Sequence, residues 1–172
     1  RTYGVTIGDY AFKGCEKLTL ADNLHYVYKV GKEAFKDTPL NNNSRSGEFN
    51  IGSSCSNMTE AAGEIGNYAF QNTSPKRVSI GNYIKTIGEG AFDGCSSMGV
   101  LVIGDNVNNI GNYAFSRCTG LTHIYLGKSL PSGIDFSQIF DAQMNLDKIS
   151  IPDENTAYSD EGNCLVDIAN NL

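Results

Sequence analysis

The sequence has no tryptophan, only two histidines and only four prolines in 172 residues. Nineteen glycines and many asparagines stand beside those absences, a composition suited to tight turns and thin layers of core. No run approaches the roughly eighteen apolar residues that a membrane-crossing helix needs, so no membrane insertion is expected. Basic residues are in deficit: 13 Lys and Arg against 19 Asp and Glu give a formal charge of −6, with no basic cluster to neutralise phosphates. Nucleic acid is therefore not an expected partner. No Cys-x-x-Cys pair or Cys/His spacing suggests zinc, no P-loop pattern is present, and no cofactor is expected. The chain opens at Arg1 without a methionine or a charged-then-apolar leader, and reads as a piece of a longer protein.

What the sequence does contain is a repeat. Ile110-Gly111-Asn112-Tyr113-Ala114-Phe115 has near-copies at 7–12, 30–35, 65–70 and 87–92, each reading apolar-Gly-x-x-Ala-Phe. Their phenylalanines stand at 12, 35, 70, 92 and 115, spaced by 23, 35, 22 and 23 residues, and a worn sixth copy ends at Phe140. A fixed period of this length is the signature of a solenoid, in which each unit buries its apolar face only against its neighbours. A period near 23 divides the chain into about seven coils of one domain, 1–172.

One coil can be read from residue 110 to 134. Ile110, Ala114, Phe115 and Cys118 fall at i, i+4, i+5 and i+8, which predicts a short helix with one apolar face. Gly111 would allow close approach at its start, and Asn112 would suit the positive end of the helix dipole. In Leu121 to Leu126, Ile124 and Leu126 alternate with Tyr125 at the period of two that marks a half-buried strand, which Gly127 closes. The same frame puts Val78, Ile80, Leu101, Ile103, Ile149 and Ile151 inward. The expected fold class is an α/β repeat: a solenoid with parallel strands on one face and short helices on the other.

Three stretches depart from the period. The strand register around residues 15–20 is loosely defined. Residues 38–64 form an expanded unit, with a polar loop at 41–47 before a strand at Phe49-Asn50-Ile51. Residues 153–172 form a variant unit, in which Asn155 to Val166 reads as a strand, an Asp/Glu/Gly turn and a second strand.

The recurring Cys-x-x-Leu-x-x-Ile-x-Leu, followed by Ile-Gly-x-x-Ala-Phe, resembles the BspA-like, or Treponema pallidum type, leucine-rich repeat. Cys118, Leu121, Ile124 and Leu126 match its first half, and Ile110, Gly111, Ala114 and Phe115 its second. The Gly-Asn-Cys-Leu-Val of the variant unit is similar to one found between blocks of such repeats in surface proteins of gut bacteria. The resemblance implies a right-handed leucine-rich-repeat solenoid, extracellular or at a bacterial cell surface, with a role in adhesion or protein binding.

Candidate chemistry is sparse. Cys15, Cys95 and Cys118 share one repeat position with Thr38, Thr73 and Gln143, and the exchange with Thr reads as a small buried residue rather than a disulfide ladder. Five cysteines permit no complete internal pairing. His25 and His123 lie about four coils apart, too far for shared chemistry, and the frame buries Cys118 while turning His123 outward. Asp153, Glu154, Asp160 and Glu161 read as a solvated acidic surface rather than a calcium loop. No catalytic or metal site is expected. The residues left free by the frame are the outward strand positions Arg77, Ser79, Val100, Val102, His123, Tyr125, Lys148 and Ser150, the expected binding face for a protein or glycan. The alternative is a structural spacer with no ligand of its own.

Overall fold

The structure, a computed structural model, describes residues 4–18, 24–40, 48–55, 62–140, 146–161 and 164–167. Its strands are β1 (Val5–Ile7), β2 (Val27–Val30), β3 (Glu48–Ile51), β4 (Gly63–Ile65), β5 (Arg77–Ile80), β6 (Ile84–Ile87), β7 (Val100–Ile103), β8 (Asn109–Ile110), β9 (His123–Tyr125), β10 (Lys148–Ser150), β11 (Tyr158–Glu161) and β12 (Cys164–Asp167). One turn of helix, α1 (Phe136–Ile139), is the sole helix among the described residues.

Two parallel sheets wind along the molecule. One runs β3-β5-β7-β9-β10 and the other β1-β2-β4-β6-β8, with five strands each, so the described residues form about five coils rather than seven. The 12 extra residues of the 38–64 unit and the antiparallel β11–β12 hairpin take up the chain that further coils would use. The first sheet is the one the alternating pattern predicts. Val78, Ile80, Leu101, Ile103 and Ile124 are buried between half-buried neighbours, and β5, β7 and β9 pair in unbroken register. Of the strand sought around residues 15–20, Cys15 to Leu18 run through a turn, and residues 19 and 20 lie outside the described residues.

The helices expected at the Ala-Phe signatures do not form. In their place each coil makes a chain of tight turns, because two residues four apart take the left-handed conformation. They are Tyr10 and Gly14, Glu33 and Asp37, Tyr68 and Asn72, Gly90 and Gly94, and Tyr113 and Arg117, with φ between +51° and +76°. A right-handed helix cannot hold a left-handed residue in every turn. Asn112 accordingly caps nothing. The backbone bonds alternate as a result. Ala69 N–H and Gln71 N–H bond three residues back, to Gly66 O and Tyr68 O. Tyr68, Phe70 and Asn72 donate instead to Glu89, Ala91 and Asp93 of the next coil. The same alternation recurs in the coils around it.

This turn ladder packs its phenylalanines into a spine. Phe12, Phe35, Phe70, Phe92, Phe115 and Phe140 stack in order, with centroids 5.0–5.5 Å apart and planes within 17° of parallel. Phe35 to Phe115 are essentially without solvent exposure, whereas Phe12, on the first coil, is 38% exposed. Each ring contributes about 1.5–3 kcal/mol by burial, and each stacked pair about 0.5–1.5 kcal/mol more. Close stacking also explains the signature glycine. A Cβ on Gly66 would sit 2.8 Å from the backbone of Gly31 and Lys32, and one on Gly111 would sit 2.5 Å from Glu89 N.

The variant unit closes the core differently. Buried Asn155 donates to Gly127 O at 2.9 Å and accepts from the amides of Ala157 and Tyr158. Buried Tyr158 packs edge-on to Phe136, and its hydroxyl donates to Pro131 O while accepting from Ile134 N–H.

Candidate functional site

The outward positions of the β3-β5-β7-β9-β10 sheet fall into two columns, because parallel strands in unshifted register place equivalent side chains side by side. Arg77, Val100, His123 and Lys148 form one column, and Ser79, Val102, Tyr125 and Ser150 the other. All eight residues read from the sequence as the outward face are therefore brought together. Asn50 of β3 extends the second column beside Ser79, a member that sequence reasoning left out although it had placed the strand.

Most of these side chains are half-buried against one another, and Lys148 is exposed. Its ammonium lies 5.9 Å from the centroid of the Tyr125 ring, close enough for cation–π attraction. His123 Nδ1 shares a hydrogen bond of 2.9 Å with Thr122 Oγ1, which fixes the ring against its own strand. The face thus offers an aromatic ring, a cation, an imidazole and small hydroxyls on a rigid backbone. Those groups can hydrogen-bond and stack, and they contain no activated nucleophile.

The other candidates stay apart. Cys118 is buried and donates to Phe92 O at 3.2 Å, while His123 faces outward five residues on. A hydrogen bond with Cys95, reinforced by burial, pushes the Cys118 thiol far up, so it remains protonated. Cys15, Cys55, Cys95 and Cys118 are free thiols, of which Cys15 alone is exposed. His25 Nδ1 meets Ser53 Oγ at 2.8 Å, a pairing that the repeat pattern does not announce. Asp153 and Glu154 are exposed, and the side chains of Asp160 and Glu161 lie outside the described set. Among the described residues no three His, Cys, Asp or Glu side chains converge as a metal site, and no helix is long and apolar enough to cross a membrane.

The turn ladder carries a second polar surface. Lys13 Nζ pairs with Glu33 Oε2 at 2.6 Å, and Lys36 approaches the same oxygen at 3.7 Å. The hydrogen bond from Lys13 holds the Glu33 carboxyl below the usual carboxylate range. The Tyr68 hydroxyl donates to Glu89, which raises its pKa. Asp93, buried, accepts Arg117 through two bonds of 2.8 and 2.6 Å and Gln71 at 2.7 Å. Apart from Lys36–Glu33, these pairs link residues in different coils. Their spacing of one repeat was visible in the sequence, but their facing one another depends on the turn ladder that replaced the helix.

Comparison with known proteins agrees with this architecture. No curated protein matches the chain. A leucine-rich repeat protein from Bacteroides capillosus ATCC 29799, known from its crystal structure, is similar in fold. The similarity has a TM-score of 0.50 and 23% identity over 63% of this chain and 79% of that one. The family model for the BspA type leucine-rich repeat region matches residues 3–62 and 63–162 in six copies. With two parallel sheets, a period set by stacked phenylalanines and a signature glycine at the coil contacts, the chain belongs to the BspA type leucine-rich repeat family.

Proposed function

We propose that the chain is a non-catalytic binding module of adhesion type, secreted or displayed at a bacterial cell surface, and that it holds a protein or glycan on its outward strand face. The observation that carries this reading is the register of the two columns, which sets Tyr125, His123 and Lys148 on adjacent strands with the lysine over the tyrosine ring. A half-buried ring beside a cation and hydroxyls suits stacking on a sugar or on a partner's side chain.

Size narrows the choice. Five strands about 4.8 Å apart, each offering about four residues at 3.3 Å, give a face of roughly 300 Å². A stable protein complex needs about 800 Å² per partner. The strand face by itself therefore suits a glycan or a weak protein contact, and a tight protein partner would also have to engage the 38–64 unit. The test is a screen against a glycan array and extracellular-matrix proteins, repeated with Tyr125→Ala and His123→Ala. Binding weakened in both variants supports the reading, and unchanged binding of a demonstrated partner refutes it. The spacer alternative draws on Ser79 and Ser150, which give the second column little to grip with, and predicts no ligand in the same screen.

A further inference from the structure

A different surface, independent of the strand face, holds a second group of polar side chains. Between the first and third coils, where the β1-β2-β4 sheet meets the turn ladder, lies an open hollow of about 270 Å³ bordered by Asp9, Lys29, Lys32, Glu64 and Asn67. Gly31 and Gly66 contribute backbone to its lining. The chain as a whole is acidic, yet Lys13, Lys29, Lys32 and Lys36 are gathered in these first coils. Three of the four are engaged: Lys13 and Lys36 with Glu33, and Lys29 with Glu64 at 3.5 Å. Lys32 has no carboxylate within ion-pairing distance among the described residues, and its ammonium lies 5.9 Å from the ring of Tyr10, which is 48% exposed.

We infer that this hollow is a subsite for a carboxylated sugar, with Lys32, and Lys29 beside it, meeting the sugar carboxylate. Asp9 and Glu64 accept from its hydroxyls, and Tyr10 offers an aromatic surface next to the cation. Asp9 uses Oδ1 to accept the Lys32 amide at 2.8 Å, which leaves Oδ2 for a ligand. The Lys29–Glu64 pair is half exposed on both sides, so parting it for a ligand costs little. The mixture of charges decides between ligand classes. An acidic peptide would meet the two carboxylates as repulsion, whereas a sugar acid needs both a cation for its carboxylate and acceptors for its hydroxyls. The volume, at the small end for ligand pockets, matches a single sugar residue rather than a long segment.

The experiment titrates the intact chain with digalacturonate, with the neutral digalactose of the same linkage, and with hexaglutamate, followed by NMR shifts and calorimetry. Digalacturonate should bind, and digalactose should bind at least about tenfold more weakly. Lys32→Ala and Lys29→Ala should each weaken digalacturonate several-fold with an unchanged melting temperature, while Tyr125→Ala and Lys148→Ala on the strand face leave it unchanged. The inference is overturned by no digalacturonate binding, by equal affinity for digalactose, by tighter binding of hexaglutamate, or by insensitivity to both lysine changes. Loss of digalacturonate in the strand-face variants would also overturn it, by assigning the sugar to that face.

Discussion

Alanine at the signature glycine should have opposite consequences in different coils. Gly8 and Gly66 occupy the same repeat position, and neither has a positive φ, so alanine can adopt the backbone of both. A Cβ on Gly8 meets nothing within 4 Å, because no described coil lies on its outer side. A Cβ on Gly66 would lie 2.8 Å from Gly31 C and Lys32 N and 2.9 Å from Val30 O. Ordinary contact begins near 3.4 Å, so the coils would have to part by more than half an ångström. They are clamped on either side of Gly66 by Gly66 N–H to Val30 O at 2.7 Å and Glu33 N–H to Asn67 O at 2.9 Å. Weakening those two bonds costs about 1 kcal/mol each, and overpacking adds about 1–3 kcal/mol. Against that stands a gain of about 0.4–1 kcal/mol from restricting the unfolded chain. Gly66→Ala should therefore lose about 2–4.6 kcal/mol, while Gly8→Ala should be unchanged or gain up to about 1 kcal/mol. Urea denaturation followed by far-ultraviolet circular dichroism measures both, and in a thermal melt Gly66→Ala should unfold roughly 5–15 °C earlier. If the two variants agree within about 0.5 kcal/mol, the argument that coil contact selects this glycine is wrong.

Other outcomes follow from the polar pairs and the thiols. Asp93→Ala should lose about 1–2 kcal/mol, because it leaves Gln71 and half-exposed Arg117 without their acceptor, and a double-mutant cycle with Arg117→Ala should recover most of that as coupling. A thiol reagent should modify Cys15 rapidly in the native chain, while Cys95 and Cys118 wait for unfolding. Exposure sets the order, since Cys15 alone of these three reaches solvent, and burial with the bond to Cys95 keeps the Cys118 thiol protonated. Asp135 accepts from Ser137, Oγ and N–H both, and from Gln138, and these bonds hold its carboxyl below the ordinary 3.8. A depressed folded-state pKa stabilises above the unfolded value and loses that stabilisation as pH falls through the folded one. The stability difference between the native chain and Asp135→Ala should thus persist at neutral pH and close below about pH 4; a difference that stays constant down to pH 2 would contradict it.

The strand face was legible because burial alternates with a period of two at Val78 to Ile80 and Leu101 to Ile103, and a parallel array repeats that alternation in register. The phenylalanine spine was equally legible, down to the worn copy at Phe140, since one large ring per coil has one place to go. The other side was misread. Spacings of i, i+4, i+5 and i+8 satisfy a helix, but the turn ladder buries the same Ala114, Phe115 and Cys118. A counter-signal was present two residues after each phenylalanine, where Gly14, Asp37, Asn72 and Gly94 stand in four of five coils. Gly, Asn and Asp tolerate the left-handed conformation and disfavour a helix interior, so their recurrence argues for turns. The second sheet was hidden because its closing residues, such as Ile65, Ile87 and Ile110, open each Ala-Phe signature and were assigned to the expected helix instead.

The signature glycines donate back to the preceding coil, as Gly66 does to Val30 O, but past them the bonds between coils in the turn ladder all point one way. Tyr10, Phe12 and Gly14 donate to the second coil, Glu33, Phe35 and Asp37 to the third, and so on to Tyr113 and Phe115, which donate to Gln138 and Ile139. In an ordinary sheet successive bonds alternate in direction and their dipoles largely cancel. Here they add, as in a helix, and give the solenoid an electrical polarity along its axis, negative where carbonyls face out and positive where amides do. The carbonyls of Asp9, Ala11 and Lys13 stand at the negative pole, and the lysines collected in the first two coils lie beside it. Any neighbour that continues the array on that side has to arrive amides first, so two copies cannot join there pole to like pole.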